Sequence, residues 1–253
     1  SSSTWLSDMR YFGLSKNSFE LLRFGFSFNP RALFNGGKQG AWYDPSDLST
    51  LFQDVAGTVP VVNNGDPVAL MLDKSGNGNH IKQSSSSSMP FYQTDGKLHW
   101  LKFDGIDDLM MMAYPAARQM AQPNSLSLAF NHDSGSRIIG TNADGVHQVV
   151  YAASSGDRWF AGTPSGDINF RDDVGTTLLS GEFFGTQSFY FKNAENSVTV
   201  NSGVNGSSGL VIGTDHDMRY PSKMRFYGLL TVKGSINHDN IRRYLASKSG
   251  VIL

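Results

Sequence analysis

Residues 224–232 read Met-Arg-Phe-Tyr-Gly-Leu-Leu-Thr-Val, and this segment gives the strongest indication of the fold class. Successive side chains of a β-strand point to opposite faces of the sheet, and here both faces carry apolar side chains. A strand with this pattern needs cover on both sides, as a central strand has in the interior of a larger fold. The stretch therefore predicts a central strand in a packed β-sheet.

Short alternating runs occur on the N-terminal side of this strand. Leu126, Leu128 and Phe130 share one strand face, and Leu210 and Ile212 share a face of another run. Turn dipeptides separate such runs at 64–65, 95–96, 144–145, 155–156, 165–166 and 205–206. Because no helices alternate with these runs, we predict an all-β fold, a two-sheet antiparallel jelly-roll sandwich.

A single short helix is predicted at the C-terminal end of the chain. Ile241, Tyr244 and Leu245 follow the i, i+3, i+4 spacing of a buried helix face, and Gly250 is placed to end the helix. The side chains predicted to face solvent are those of Arg242, Arg243 and Lys248. We expect this helix to pack across the end or edge of a sheet.

The composition excludes several classes of function. The 253 residues carry 21 basic and 22 acidic side chains, a net charge of −1, so the chain lacks the positive field that nonspecific nucleic-acid binding needs. It contains no run of about 18 apolar residues, and we expect no membrane insertion. Cysteine is absent, which excludes a disulfide framework and thiolate chemistry.

Residues 1–35 form an aromatic-rich N-terminal segment that we treat as an arm or connector. Phe24, Phe26 and Phe28 alternate on one strand face before Asn29-Pro30 breaks the pattern. These rings either pack on the main domain or form an interface arm that docks on a neighbouring subunit, and both alternatives stay open. The chain begins with Ser rather than Met, so we expect a processed product or a piece of a longer protein.

Three segments carry a family pattern: Gly-Ala-Trp-Tyr-Asp-Pro at 40–45, Asp-Lys-Ser-Gly-Asn-Gly-Asn-His at 73–80 and Phe-Asp-Gly-Ile-Asp-Asp at 103–108. Phe-Tyr-Gly-Leu-Leu at 226–230 adds to this pattern. On these segments, residues 36–253 resemble the laminin-G-like, concanavalin A-like jelly-roll domains of phage and prophage tail and other virion proteins. The resemblance implies one jelly-roll domain over 36–253, a location in the virion and other virion proteins as partners. It also implies recognition of a host-surface glycan or receptor, sometimes with calcium, by a homo-oligomer that is trimeric if the protein is a fibre.

Catalytic patterns are weak in this sequence. The three glutamates, Glu20, Glu182 and Glu195, are scattered, although a retaining glycosidase needs two carboxyl groups about 5–5.5 Å apart. Asp215 and Asp217 flank His216 in a segment that has the character of a polar loop. No Gly-x-Ser-x-Gly elbow or His-Glu-x-x-His zinc pattern is present. We therefore predict that the chain is not an enzyme.

Calcium is the one metal that a spacing in the sequence suggests. Asp73, Ser75 and Asn77, followed by Gly78, reproduce the first half of a calcium loop, but Ser84 stands where a bidentate Glu would close the site. The alternative is a tight turn in which these side chains bond the backbone of the loop. We expect no cofactor, with calcium in this loop as the lesser alternative.

Glycan binding usually combines an exposed aromatic ring with planar polar groups. Two loop groups offer this combination: Asp157, Arg158 and Trp159, and Arg219 with Tyr220. The alternative for Trp159 is that it begins a buried strand, because aromatic side chains most often lie in the core.

The function predicted from these observations is a non-enzymatic virion module of a phage or prophage, in the tail or a fibre, that attaches to a host-surface glycan or receptor. Two alternatives stay open. One is a structural capsid or tail component anchored by residues 1–35, and the other is a glycoside hydrolase that degrades polysaccharide. Binding to a glycan array separates the first two, and release of sugar identifies the third.

Overall fold

The computed structural model of this chain describes residues 28–134, 137–140, 148–151, 158–162, 175–214 and 218–253. Within these ranges the strands are β1 (Gly40–Tyr43), β2 (Leu51–Phe52), β3 (Leu70–Met71), β4 (Ile81–Lys82), β5 (Phe91–Thr94), β6 (His99–Asp104), β7 (Met110–Ala113), β8 (Asn124–Ser134), β9 (Arg137–Gly140), β10 (Val149–Tyr151), β11 (Arg158–Phe160), β12 (Thr176–Phe183), β13 (Ser188–Lys192), β14 (Val198–Val200), β15 (Gly209–Ile212) and β16 (Lys223–Lys233). The α-helix α1 (His238–Ser249) follows the last strand. No helix in these ranges is long and apolar enough to cross a membrane.

The strands form two antiparallel sheets. The first sheet has the order β14-β13-β12-β8-β16-β6-β5, and β1 pairs with β16 beside it. The second sheet has the order β11-β10-β9-β15-β7-β4-β3-β2. Apolar side chains from both sheets meet in one core, so the predicted all-β, two-sheet antiparallel sandwich with a short C-terminal helix is confirmed.

Strand β16 is the central strand that the stretch 224–232 predicts. It pairs with β8 on one side and with β6 and β1 on the other. Phe226 and Leu229 lie in the core between the sheets, whereas Leu230 and Val232 pack on the opposite face, towards α1. The alternation shifts at Gly228, where the pairing with β8 contains a bulge. Both faces of the strand are therefore covered, as predicted.

Helix α1 lies on the outer face of the first sheet, where Ile241 and Leu245 are fully buried. Asn237 caps its start, because the side-chain oxygen accepts hydrogen bonds from the backbone N–H groups of residues 239 and 240. Gly250 ends the helix with a φ of +76°. The prediction for Arg242 is wrong: it is only 9% exposed. Its long stem covers apolar surface, and its guanidinium lies 4.5 Å from the centre of the Phe191 ring.

The proposed boundary between an arm and a domain at residues 35 and 36 falls inside a 3-10 segment, Pro30–Gly37. Phe34, in this segment, is 5% exposed and belongs to the cluster beneath α1. Residues 1–27, with most of the predicted arm, lie outside the described residues. Both the domain boundary and the role of the arm therefore stay predictions.

The turn at residues 104–108 joins the two sheets. Strand β6 before it belongs to the first sheet, whereas β7 after it belongs to the second, so the turn is a crossing between the sheets and not a hairpin. Phe103 is fully buried, but Leu109 is only partly buried, because the chain crosses the rim of the sandwich between them. The crossing places three aspartates, Asp104, Asp107 and Asp108, at this rim.

Candidate functional site

In the first predicted ligand group, Trp159 does not lie at the surface. Trp159 has no exposed surface and stacks on Phe183, with ring centres 4.6 Å apart and planes inclined by 17°. Tyr190 lies 6.2 Å away on the same stack. A ring enclosed in this way offers no face to a sugar, so the structure corrects the prediction for Trp159 and places it in the core. Arg158 begins β11 and pairs with Tyr151, and Asp157 lies outside the described residues.

The second predicted group lies at the surface. Tyr220 is 45% exposed, and Arg219 beside it is exposed as well. Met218 precedes them with a φ of +57° and is 50% exposed. The acidic pair weighed as a catalytic group, Asp215 and Asp217, lies outside the described residues together with His216.

A cavity of about 240 Å³ opens beside Tyr220 at the rim of the sandwich. It brings together chain segments that are far apart in sequence, and it is lined by Ser88, Ile106, Asp107, Asp108, Leu109, Thr214, Met218 and Pro221. Tyr220 sits between two of these lining residues in the chain. Among the residues whose side chains the structure describes, none from β11 lines the cavity, so Trp159 is not brought to this site.

Three carboxylates lie close together at this rim, and two of them, Asp107 and Asp108, line the cavity. One carboxylate oxygen from each of Asp104, Asp107 and Asp108 lies within 4.8 Å of the other two. Asp104 and Asp107 are exposed, whereas Asp108 is 3% exposed and accepts a hydrogen bond from the backbone N–H of Asp104 at 2.9 Å. Burial, together with the negative charges of Asp104 and Asp107, raises the pKa of Asp108 to about 7.

Thr214 supplies a hydroxyl to the same cavity. It is 2% exposed, and within the described structure its Oγ1 has no hydrogen-bond partner. Gly213 lets this segment approach the turn closely: its φ is +98°, and a Cβ there would lie 2.7 Å from the backbone oxygen of Asp108. A buried hydroxyl without a partner costs free energy, which points to a ligand or a water at this position.

The predicted calcium loop is built as a hydrogen-bonded turn. The carboxylate of Asp73 accepts hydrogen bonds from the backbone N–H groups of Trp42, Ser75 and Asn79, at 2.8–3.0 Å. It also accepts one from the Ser75 hydroxyl at 2.7 Å. The side chain of Asn77 donates to the backbone oxygens of residues 38 and 40. These hydrogen bonds are those that the turn alternative predicts, and calcium in this loop stays a prediction.

A second cavity, of about 300 Å³, lies at the opposite end of β6. It is lined by Ser46, Lys97, His99, Ser247 and Lys248. The positive charge of Lys248 is already engaged, because its Nζ lies 3.2 Å from Asp44 and donates to the Ser46 hydroxyl at 2.7 Å. This cavity therefore borders the contacts that hold α1 on β1.

A buried Ser–His pair beneath α1 has no access to a substrate. His238 Nδ1 lies 2.8 Å from the hydroxyl oxygen of Ser180, which in turn lies 2.7 Å from that of Ser127. Both serines have no exposed surface. Burial, together with the charge of Arg242, lowers the pKa of His238 to about 4. The network is neutral at physiological pH and holds the helix against β8 and β12.

Comparisons by sequence find no relatives, whereas comparisons by structure find many. No protein-family model and no curated protein matches the chain. A GH54 α-L-arabinofuranosidase matches with a TM-score of 0.57 and 10% identity, over 88% of this chain and 66% of that one. Trypanosoma rangeli sialidase matches with a TM-score of 0.52 and 14% identity, over 80% of this chain and 36% of that one.

A further structure of the Trypanosoma rangeli sialidase, with 2,3-difluorosialic acid as a covalent intermediate, gives a TM-score of 0.55 at 10% identity. The chain spans about a third of the length of the sialidases that it matches. At these identities the likeness shows the fold alone, a β-sandwich of the jelly-roll type. The prediction of a non-enzymatic chain, made from the lack of catalytic patterns, is wrong, because sialidase and arabinofuranosidase enzymes are among the structures that share this fold.

Sequence reasoning found Arg219 and Tyr220 but missed most of the cavity beside them. Ser88 and Thr214 carry no pattern of their own, because Ser and Thr are common in loops. Asp107 and Asp108 were visible in the Asp-Gly-Ile-Asp-Asp stretch, but that stretch suits a plain turn equally well. The available signal was the concentration of three carboxylates within five residues, which exceeds what one turn needs.

Proposed function

We propose that this chain recognises a carbohydrate through the rim cavity beside Tyr220. The single observation that carries the proposal is the cavity itself, in which acidic and hydroxyl groups meet apolar side chains. Carboxylates accept hydrogen bonds from sugar hydroxyls, and exposed Tyr220, Met218 and Ile106 offer apolar surface to the C–H face of a sugar. The fold neighbours that are named as a sialidase and an arabinofuranosidase support this ligand class by analogy only.

The cavity volume limits what the site holds. Small-molecule pockets usually measure about 300–1,000 Å³, and the rim cavity, at about 240 Å³, is smaller. We therefore propose that it holds one terminal sugar or a short branch, while the rest of the glycan lies along the surface. A site of this size binds weakly alone, and several copies acting together would supply avidity.

The biological setting that we propose is attachment of a virion to a host-surface glycan. Its support is the resemblance of the segments 40–45, 73–80 and 103–108 to virion jelly-roll domains. Many weak copies on one particle would fit a shallow cavity. The assignment to a virion, its other proteins as partners and a homo-oligomeric state all belong to this proposal.

An array of bacterial surface glycans tests the proposal. We expect the wild-type chain to bind a subset of glycans and Tyr220→Ala to bind them about 3- to 10-fold more weakly, as loss of an aromatic contact predicts. Phe184→Ala is the matched control, because Phe184 is also 45% exposed but lies outside the segment 218–221, whose Met218 and Pro221 line the cavity. Equal effects of the two variants, or no binding by the wild type, would contradict the proposal. Sugar release measured in parallel distinguishes recognition from hydrolysis.

A further inference from the structure

The outer face of the first sheet carries a row of side chains beside α1. Leu101, Phe103 and Phe226 lie in the core between the sheets, so the residues that alternate with them along β6 and β16 point away from the core. The strand registers align one such residue from each of β5, β6, β16, β8 and β12: Phe91, Lys102, Arg225, Asn131 and Thr176. Neighbouring strands are separated by about 4.8 Å, so this row, which we call the outer row, extends about 19 Å across the sheet.

Two like charges face each other at the centre of the outer row. Lys102 and Arg225 are direct cross-strand partners, and both side chains are exposed. Like charges in this arrangement destabilise a sheet. Among the residues that the structure describes, no carboxylate forms an ion pair with either of them. A costly pair that the described fold leaves without a counter-charge points to an anionic ligand.

Trp100 positions the guanidinium of Arg225. The two groups are 5.3 Å apart, measured from the guanidinium carbon to the centre of the ring. Trp100 is partly buried against the cluster beneath α1, and its ring centre lies 6.0 Å from that of Tyr227. A cation–π contact leaves the N–H groups of a guanidinium free, and two of them can bind a carboxylate, phosphate or sulfate group side by side.

We propose that Lys102 and Arg225 bind an anionic group on a glycan, a carboxylate, phosphate or sulfate. The site rests on the proposed function, because it specifies the class of glycan whose terminal sugar occupies the rim cavity. Phe91, directly opposite Lys102 and 43% exposed, offers its ring to the C–H face of a neighbouring sugar. The chain as a whole has a net charge of −1, which disfavours a nucleic acid and favours a ligand that carries isolated charges.

The outer row lies next to the rim cavity. On the outer face, only the cross-strand pair of Asp104 and Lys223 lies between the outer row and the rim. The charge of Lys102 acts on Asp108, which lines the cavity. A glycan that extends from the cavity across this face therefore passes Lys102 and Arg225.

An array that pairs acidic glycans with uncharged glycans of the same backbone tests the site. We expect the wild-type chain to bind the acidic member of a pair about 10-fold more tightly, and salt to reduce this preference. The double variant Lys102→Gln, Arg225→Gln should bind acidic glycans about 10-fold or more weakly than the wild type and lose the preference. The carboxylate, phosphate and sulfate members of the array show which anion the site takes.

The double variant Lys82→Gln, Arg243→Gln is the matched control, because it removes the same two charges from exposed positions on β4 and α1. Its affinity for acidic glycans should stay within about 2-fold of the wild type. Thermal melting followed by circular dichroism checks that both double variants are folded, as expected for substitutions at exposed positions.

The outcomes separate this site from the proposed function. Equal binding of acidic and uncharged glycans, or equal effects of the two double variants, would overturn the anion site. The proposed function survives that result if Tyr220→Ala still weakens binding. A wild-type chain that binds no glycan overturns both. Double-stranded DNA that binds as tightly as the acidic glycans would show a general polyanion surface and overturn the assignment to a glycan.

Discussion

Trp159 and Tyr220 are both aromatic residues that follow polar loop residues in sequence, and burial separates their roles. Trp159 is enclosed by Phe183 and Tyr190, whereas nearly half of the Tyr220 side chain is exposed. Local sequence does not distinguish them, because the cover over Trp159 comes from strands β12 and β13, more than twenty residues away. The distinction depends on tertiary packing alone.

Truncation of these two side chains should therefore give opposite results. Trp159→Ala removes a stacked, fully buried ring and should lower the free energy of unfolding by about 3–5 kcal/mol. Tyr220→Ala should change it by less than about 0.5 kcal/mol, as exposed sites usually do. Urea denaturation followed by circular dichroism measures both values. A Trp159→Ala variant that is as stable as the wild type but binds glycan more weakly would show that Trp159 contacts the glycan.

At the scale of elements, one buried carboxylate holds α1 against β1. Asp44 is 3% exposed and accepts hydrogen bonds from the Ser46 hydroxyl at 2.6 Å and the Tyr244 hydroxyl at 2.8 Å. Lys248 and Lys74 lie 3.2 and 3.4 Å away. Burial raises the pKa of Asp44, but the Ser46 hydrogen bond and the charges of Lys248 and Lys74 outweigh burial, so the pKa is lower than usual.

This lowered pKa predicts a pH-dependent contribution to stability. Because the folded chain holds Asp44 ionised, the contribution is present above the unfolded pKa of about 4 and is lost as pH falls through the lower, folded pKa. Asp44→Asn should therefore lower the free energy of unfolding at pH 7 by about 1–3 kcal/mol and by less at pH 3. Urea denaturation at both pH values measures the difference.

The matched control for this pH series is Asp133→Asn, an exposed aspartate near the end of β8. It should change stability by less than about 0.5 kcal/mol at either pH, because exposed carboxylates contribute little. A difference between wild type and Asp44→Asn that stays constant from pH 7 to pH 3 would show that the charge of Asp44 does not hold the helix.

The strands were predictable where burial of one face produces a regular alternation of apolar and polar residues in the sequence. Strand β8 has one face in the core, so its apolar residues Leu126, Leu128 and Phe130 alternate with polar ones. The stretch 224–232 is apolar on both faces because α1 covers the second face of β16. Arg242 was not predictable, because a long cationic side chain can cover apolar surface as well as face solvent. The crossing at 104–108 was also hidden, since hairpins and sheet crossings use the same turn residues.

At the scale of the whole molecule, the candidate site exists only because the sandwich brings distant segments to one rim. Ser88, Asp108, Thr214 and Pro221 meet there although more than 130 positions separate the first from the last. No local pattern marks such a set, which is why fold class was readable from the sequence and most of the cavity was not. Enzymes such as a sialidase and an arabinofuranosidase share this fold, so the fold does not determine what the rim does. The side chains at the rim determine its chemistry.

Ligand recognition at this rim can be tested by NMR titration of the isotope-labelled chain with a glycan selected on the array. We expect the backbone signals of Ile106, Leu109 and Met218, which line the rim cavity, to shift first. Signals from Ser46, Lys97 and Ser247, which line the other cavity, should stay in place. Shifts confined to the second group of residues, with the rim unchanged, would contradict the claim.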